Sequence, residues 1–402
     1  MVRLAGDLFG IPFIYEDRQA ARRLVKKLVS FDTTSRESNL ELIAFIQDYL
    51  SGFGVESLLV HNEEGTKANL YATLGDDSKA GIMLSGHTDV VPVDGQTWDI
   101  DPFQVTEKDD NFYGRGTADM KSFIAIVLAY VPVFLERGLE TPIHLAFSYD
   151  EEIGCIGVRR LIDKLKDMPV KPAMCIVGEP TSMQVITGHK GKRSFIANVR
   201  GLESHSALAP QGVNAVEYAA ELVAFLKNMA RRIEKEGPFD ELYEVTHTTV
   251  HTGVIAGGVQ LNIVPKTCRV EFEFRYLAIH DPDALEGEIR AYAQETLEPL
   301  MHAVSPNTGI HIQCYNDMPG LEMNADEDVV TFVKALAGRN DHAKVAFGTE
   351  AGLFHTRINI PTVVCGPGDI AVAHKPNEFI PLDQIARAED FMNRLADEVK
   401  GS

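Results

Sequence analysis

The spacing of hydrophobic positions changes along this chain, and the changes divide it. Leu24, Leu28 and Phe31, then Leu42, Ile43, Phe45, Ile46 and Leu50, recur at helical spacing. They predict helices between residues 19 and 53, with Gly52 and Gly54 ending the second. From Asn69 to Glu179 short apolar runs alternate with helical stretches. Residues 70–74, 82–85, 143–149 and 174–177 read as strands. Residues 121–137 read as a helix apolar on more than one side, and 161–167 as a shorter charged one. This alternation predicts an α/β core around a largely buried sheet.

After about Gly191 the pattern becomes strand 194–200, long amphipathic helix 214–236, strands 246–256 and 267–275, helix 283–301 and strand 310–315. Asp281-Pro282 is a good start signal for the second of these helices. The order β-α-β-β-α-β is that of a ferredoxin-like sandwich, a self-contained α+β domain. The α/β character then resumes with helix 328–337, strand 361–365 and helix 382–400. The expected organisation is an α/β domain of residues 1–190 and 317–402, interrupted by an inserted domain of residues 191–316.

Composition narrows the function. With 402 residues the chain is long enough for two domains, and its 45% hydrophobic content is that of a globular protein. A formal net charge of −20 disfavours nucleic acid and anionic membranes, which select basic surfaces. No apolar run reaches the length of a membrane span. Asp7, Pro12, Glu16 and Asp17 interrupt the N-terminal apolar residues, so no secretory signal is expected. Five cysteines (155, 175, 268, 314 and 365) are odd in number and form no CxxC pair. A reducing, cytoplasmic compartment is expected.

The candidate chemistry lies where predicted strands end. His87 and Asp89 follow the strand 82–85, and their i,i+2 spacing turns them to one face. They read as a half-buried polar pair, or as a metal ligand whose imidazole is oriented by the neighbouring carboxylate. Asp119, before the helix 121–137, reads as an N-cap or as a carboxylate shared by two metals. The glycines around it favour the second, because they allow close backbone approach. Glu151 and Glu152 follow the strand 143–149. They read as a solvated strand end, or as a metal ligand beside a proton carrier. Glu179, after the strand 174–177, reads as a turn acid and His374 as a surface histidine when each is taken alone. Together these groups would repel one another inside a protein unless cations neutralised them. Two Zn²⁺ ions bring four positive charges, and Asp119, Glu152 and Glu179 return three. The donors are oxygen and nitrogen without thiolate, as in a hydrolytic rather than a structural zinc site.

The strings SGHTDVVPV, GRGTADMKS, SYDEEIG, VGEPTS and AHKPNEF resemble, in order and spacing, the signature of the aminoacylase and carboxypeptidase-like co-catalytic zinc hydrolases. The resemblance runs from about Leu24 to Val399. It implies a mixed-sheet zinc-hydrolase catalytic domain with the insert as lid and dimerisation domain. It also implies two divalent metals, most simply Zn²⁺, with Co²⁺ or Mn²⁺ as alternatives. By resemblance, His87 and Glu179 hold one metal, Glu152 and His374 hold the other, and Asp119 bridges. Asp89 orients His87, and Glu151 is the general acid–base. His205 of the insert would reach a partner subunit's site in a homodimer and stabilise the oxyanion. Asn262 and Arg275 would contact the substrate's carboxylate. The implied reaction is attack of metal-activated water on the amide of an N-acyl amino acid.

The strings GTEAGLFH, VVCGPGDI and AHKPNEF resemble most the branch acting on N2-acetyl-L-ornithine. Glu350 is then a candidate partner for a cationic side chain, or an ordinary loop acid. Lys190 and Arg193 could instead serve carboxylated substrates. Other deacylases, desuccinylases and dipeptidases of the family are the alternatives, as is a metal-binding homologue without activity. The presence of Glu151 argues against that last one.

Overall fold

A computed structural model describes residues 19–401. The reading of residues 1–17 lies outside the described residues. The chain forms two compact units. One takes in the described residues up to 188 together with 323–343 and 349–401; the other takes in residues 189–322 and 344–348.

In the first unit, strands Ile82–His87 and Ile143–Ser148 are buried at every position. Such continuous burial belongs to a sheet covered on both faces. Ile82–His87 lies parallel to Ile143–Ser148 on one side and to Met174–Val177 on the other. Thr362–Val364 continues the parallel set beside Met174–Val177. Ala68–Leu74 and Ser57–His61 extend the sheet antiparallel beyond Ile143–Ser148. Parallel strands present their carboxyl ends on one edge, where open α/β sheets place their ligands. His87 ends one of these strands, and Glu151, Glu152 and Glu179 follow shortly after two others.

Helix Lys121–Arg137 is buried from Lys121 to Pro132 and again at Phe134, which explains why its sequence shows no polar face. Gly138 at its end has φ 71°, a conformation a side chain would disfavour. The unit also contains the helices Gln19–Val29, Leu40–Ser51, Asp328–Ala337 and Leu382–Val399.

The second unit has a four-stranded antiparallel sheet with its strands in the spatial order second, third, first, fourth. This is the ferredoxin-like arrangement. Thr267–Tyr276 alternates strictly, burying Cys268, Val270, Phe272, Phe274 and Tyr276. They pack with Phe195, Leu222, Leu226, Leu285 and Ile289. Asn214 caps helix Ala215–Glu236 by accepting the N–H groups of Val216 and Glu217. The single helix expected over 283–301 is instead Pro282–Ala291, a π-type turn Tyr292–Leu297, and helix Glu298–Val304. Pro299 accounts for the break: it lacks an N–H, and its ring crowds the carbonyl one turn earlier. Among the described residues no helix is long and apolar enough to cross a membrane.

One buried group in the first unit couples the fold to pH. His144 is 3% exposed, stacks on Tyr71 with ring centroids 5.8 Å apart, and shares a hydrogen bond with Thr73 Oγ1 at 3.0 Å. Burial lowers its pKa to about 4. The folded-state pKa lies below the unfolded one, so the unfolded chain binds the proton more readily. The stability contribution is full above the unfolded value of about 6.5 and is lost as pH falls toward 4. Between pH 7 and 4.5 the wild type is expected to lose about 2 kcal/mol more than His144→Phe. Urea melts of both proteins at the two pH values measure this; equal losses would contradict it.

Candidate metal centre

Asp119 sits between two imidazoles. Its Oδ1 lies 3.0 Å from His87 Nε2 and its Oδ2 lies 3.2 Å from His374 Nε2. Glu179 Oε1 is 3.7 Å from His87 Nε2, and Glu152 Oε2 is 3.0 Å from His374 Nε2. All five side chains are carried by the first unit. His87, Asp119 and Glu179 are at most 4% exposed. Among the described residues two triads have donor atoms within 4.8 Å of one another: His87, Asp119 and Glu152, and His87, Glu151 and Glu179.

The electrostatics are those of a crowded anionic pocket. Burial raises Glu151 to about 8, opposed by His87 and reinforced by Glu152 and Glu350. Burial, then Asp119, also raises Glu152 and Glu179. Hydrogen bonds to Asp119 and Glu152 raise His374 to about 10. Asp119 runs the other way: burial raises it, but its bonds to His374 and His87 outweigh that and its pKa falls.

The donor set fits a pair of divalent cations. Glu152 Oε1 is buried and has no hydrogen-bond partner among the described residues, although buried polar atoms are nearly always satisfied. The surrounding donors are carboxylate oxygens and imidazole nitrogens, suited to Zn²⁺, Co²⁺ or Mn²⁺. Cys155, whose Sγ is 3.2 Å from Glu151 Oε1, has its pKa raised by burial and remains a thiol.

Several placements differ from or add to the sequence reading. His87 Nδ1 donates to the backbone carbonyl of Asp89 at 2.9 Å, whereas the Asp89 carboxylate is 3.6 Å away, too long for a hydrogen bond. That carboxylate instead accepts the N–H groups of Glu151 at 3.1 Å and Glu152 at 3.3 Å, and the Ser35 hydroxyl at 2.8 Å. One acid therefore positions the backbone of the two that follow the strand 143–148. Glu350, considered for a cationic side chain or as a loop acid, is 1% exposed. Its oxygens accept the hydroxyls of Ser148 and Ser85, and burial raises its pKa to about 7. It is not an ordinary loop acid: it stands at the start of helix Ala351–Ile358 and is buried there.

His205, Asn262 and Arg275 belong to the second unit. His205 is exposed, and its Nδ1 accepts the Ala207 N–H at 3.1 Å. The Asn262 carbonyl accepts the Ser206 N–H at 3.0 Å. Arg275 Nε donates to Glu273 at 2.9 Å.

Sequence reasoning gave no role to Glu378 or Arg115. Both are buried, and they pair at 2.6 Å across 263 residues of sequence. The signal was present: each is a charged residue inside a motif already singled out, GRGTADMKS or AHKPNEF.

Fold and site define a metal-dependent hydrolase with a dinuclear centre. The sequence profile of Peptidase family M20/M25/M40 matches residues 83–398, and the chain belongs to that family. It is 32% identical to an acetylornithine deacetylase of Pasteurella multocida (strain Pm70), over 91% of this chain and 93% of that protein. It is 34% identical to an acetylornithine deacetylase of Myxococcus xanthus, over 93% and 96%. A solved structure from Bacillus subtilis, named a dinuclear metal-binding peptidase of the M20 family, superposes with a TM-score of 0.66. It is 15% identical, with 96% of this chain and 99% of that one covered.

Proposed function

We propose that this chain hydrolyses N2-acetyl-L-ornithine to L-ornithine and acetate, in arginine biosynthesis in the cytoplasm. The observation that carries this reading is similarity to acetylornithine deacetylases over nine-tenths of the chain. In the proposal, His87 and Glu179 hold one divalent cation, Glu152 and His374 hold the second, and Asp119 serves both. Zn²⁺ is the simplest choice. When bound, such a pair supplies Lewis acidity, which lowers the pKa of water and polarises an acyl carbonyl.

The chain's own groups do the rest. Glu151 takes a proton from the attacking water and gives it to the amide nitrogen, which then leaves as an amine. Asp89 positions this acid through its backbone N–H and orients His87 through its own carbonyl. In neutral His205, acceptance by Nδ1 puts the proton on Nε2, which makes it the donor to a developing oxyanion. Arg275 and Asn262 take the substrate's α-carboxylate, Arg275 by bidentate pairing in exchange for Glu273.

A succinylated or other dianionic substrate is the less favoured reading. Arg193, a candidate for recognising it, is already surrounded by Asp317 at 3.1 Å, Asp283 at 2.7 Å and Glu286 at 2.9 Å. Lys190 Nζ donates to the His247 carbonyl at 2.5 Å. The test compares kcat/KM for N2-acetylornithine, N-acetylmethionine, N-succinyl-diaminopimelate and simple dipeptides. Acetylornithine is expected to lead by about 10-fold or more; finding it the poorest would end the assignment.

A homodimer through the second unit is part of the proposal. Strand Thr249–Gly257 is a sheet edge with Val254 and Ile255 exposed, and Val259 and Leu261 beyond it are 80% and 100% exposed. Open edges and apolar residues of this kind are ordinarily covered. Light scattering is expected to give twice the chain mass. Mixing His205→Ala with Glu151→Ala subunits is expected to restore part of the activity that each lacks. No recovery after demonstrated subunit exchange would show that His205 does not act across the dimer and would argue for a site complete within one subunit.

A further inference from the structure

Glu378 takes no part in the scheme above, yet it collects four hydrogen bonds in a fully buried position. Its Oε1 accepts the backbone N–H groups of Gly116 at 3.0 Å, Ala118 at 2.9 Å and Asp119 at 3.2 Å. Its Oε2 receives Arg115 Nη1 at 2.6 Å. The same Nη1 lies 3.3 Å from the Lys375 carbonyl, and Nη2 donates to Gln96 Oε1 at 2.7 Å. Gln96 Nε2 in turn donates to the His374 carbonyl at 2.9 Å. The Trp98 ring lies 5.1 Å from the Arg115 guanidinium, and its Nε1 donates to Gln96 Oε1 at 3.1 Å.

These bonds tie together two stretches of irregular backbone. One ends at Asp119 and the other begins at His374. A short ladder of Asn111–Tyr113 with Phe379–Pro381 joins them at one end, but residues 115–119 and 374–377 lie outside it, and His374 has φ 62° and Asn377 φ 58°, which side-chain-bearing residues rarely adopt. His87 instead ends a strand paired on both sides, and Glu179 follows one closely. The two halves of the centre are thus held differently: one by the central sheet, the other by a three-residue ladder and, beyond its end, by this buried ion pair and its extensions.

We propose that Arg115 and Glu378 are positioning residues that fix Asp119 and His374 relative to each other and so set the affinity of the metal position His374 serves. This rests on the two-metal reading of the site. A pair that only stabilised the fold would lower the melting temperature and weaken both metal positions alike. A positioning pair weakens the position of His374 more than the other, because Asp119 serves both positions but His374 serves one, and groups supporting metal ligands tune affinity without removing the site.

The experiment titrates Co²⁺ into metal-free wild type, Glu378→Gln, Arg115→Met and Gln96→Ala, followed by calorimetry and visible absorption, with melting temperatures alongside. Glu378→Gln keeps the side chain's shape and an oxygen for the three N–H groups, but turns an amide toward Arg115. Gln96→Ala lies at the accessible end of the network and covers the case in which a core variant does not fold. The first equivalent is expected to bind within about 3-fold of wild type, and the second about 10–100-fold more weakly in the ion-pair variants. Gln96→Ala is expected to weaken only the second equivalent, and by less. Equal weakening of both equivalents, or no change in either, would overturn the positioning role while leaving the two-metal reading intact. Fewer than two equivalents in the wild type would overturn that reading and this inference with it.

Discussion

Replacing Glu151 by alanine is expected to leave two metal equivalents in place and to cut kcat by at least ~100-fold, the usual scale for a lost general acid–base. Geometry alone does not separate a ligand from a proton carrier here, since Glu151 shares reach of a common point with His87 and Glu179. The two roles differ in what their loss does. A ligand's removal empties or weakens a metal position. A proton carrier's removal leaves the metals bound and raises the barrier to protonating the leaving nitrogen by about 2.7 kcal/mol per 100-fold. Glu152→Ala is the matching control: its carboxylate meets His374 at 3.0 Å and has one oxygen without a partner. That variant is expected to lose metal. Metal analysis and kcat measured on both variants decide the assignment. Normal turnover in Glu151→Ala would remove this residue from the mechanism, and metal loss in Glu151→Ala would make it a ligand.

How much of this was legible in the sequence depended on how local the cause was. Helix Lys121–Arg137 and strand Met174–Val177 have the bounds that periodicity predicts, because a long apolar run followed by glycine and a short apolar run before a turn are complete signals in themselves. The strand-end positions of His87, Glu151, Glu152 and Glu179 follow from the same runs, since three neighbouring parallel strands send their carboxyl ends to one edge. Asn111–Tyr113 and Phe379–Pro381 were not legible. Each is three residues long; Phe379–Pro381 has its strand partner across most of the chain, and Asn111–Tyr113 pairs with it and with the equally short Thr106–Lys108. The burial of Glu350 and the Arg115–Glu378 pair were hidden for the same reason. A charged residue reads as exposed until its distant partner is known, and these partners lie 202 and 263 residues away. Asp89 shows an intermediate case. Its spacing from His87 announced a contact, but which of its oxygens made that contact depended on where the backbone of Glu151 and Glu152 ran.

Stripping the protein of metal is expected to abolish turnover and to lower the melting temperature of the metal-holding unit by ~10 °C. Asp119 and Glu179 are buried and Glu151 and Glu152 partly buried in one cluster, with Glu350 acting on Glu151 from the core. Without cations these carboxylates repel one another, and Glu152 Oε1 remains unsatisfied, at a cost of about 1–3 kcal/mol. A cation bound at 1,000 times its dissociation constant adds about 4 kcal/mol to the folded state. In a unit of this size each kcal/mol moves the midpoint by roughly 2–4 °C. Scanning calorimetry of chelated and reloaded protein measures the shift. Zn²⁺, Co²⁺ and Mn²⁺ are expected to restore stability and activity together. Ca²⁺ is expected to restore neither, because it takes six to eight oxygen ligands whereas two of the five donors are imidazoles. His87→Ala supplies the internal check: with one of the two imidazoles gone, reloading is expected to recover less than half of the wild-type shift. A chelated protein with less than a tenth of an equivalent of metal that melts and turns over as before would show that these five side chains form a polar cluster and no metal centre.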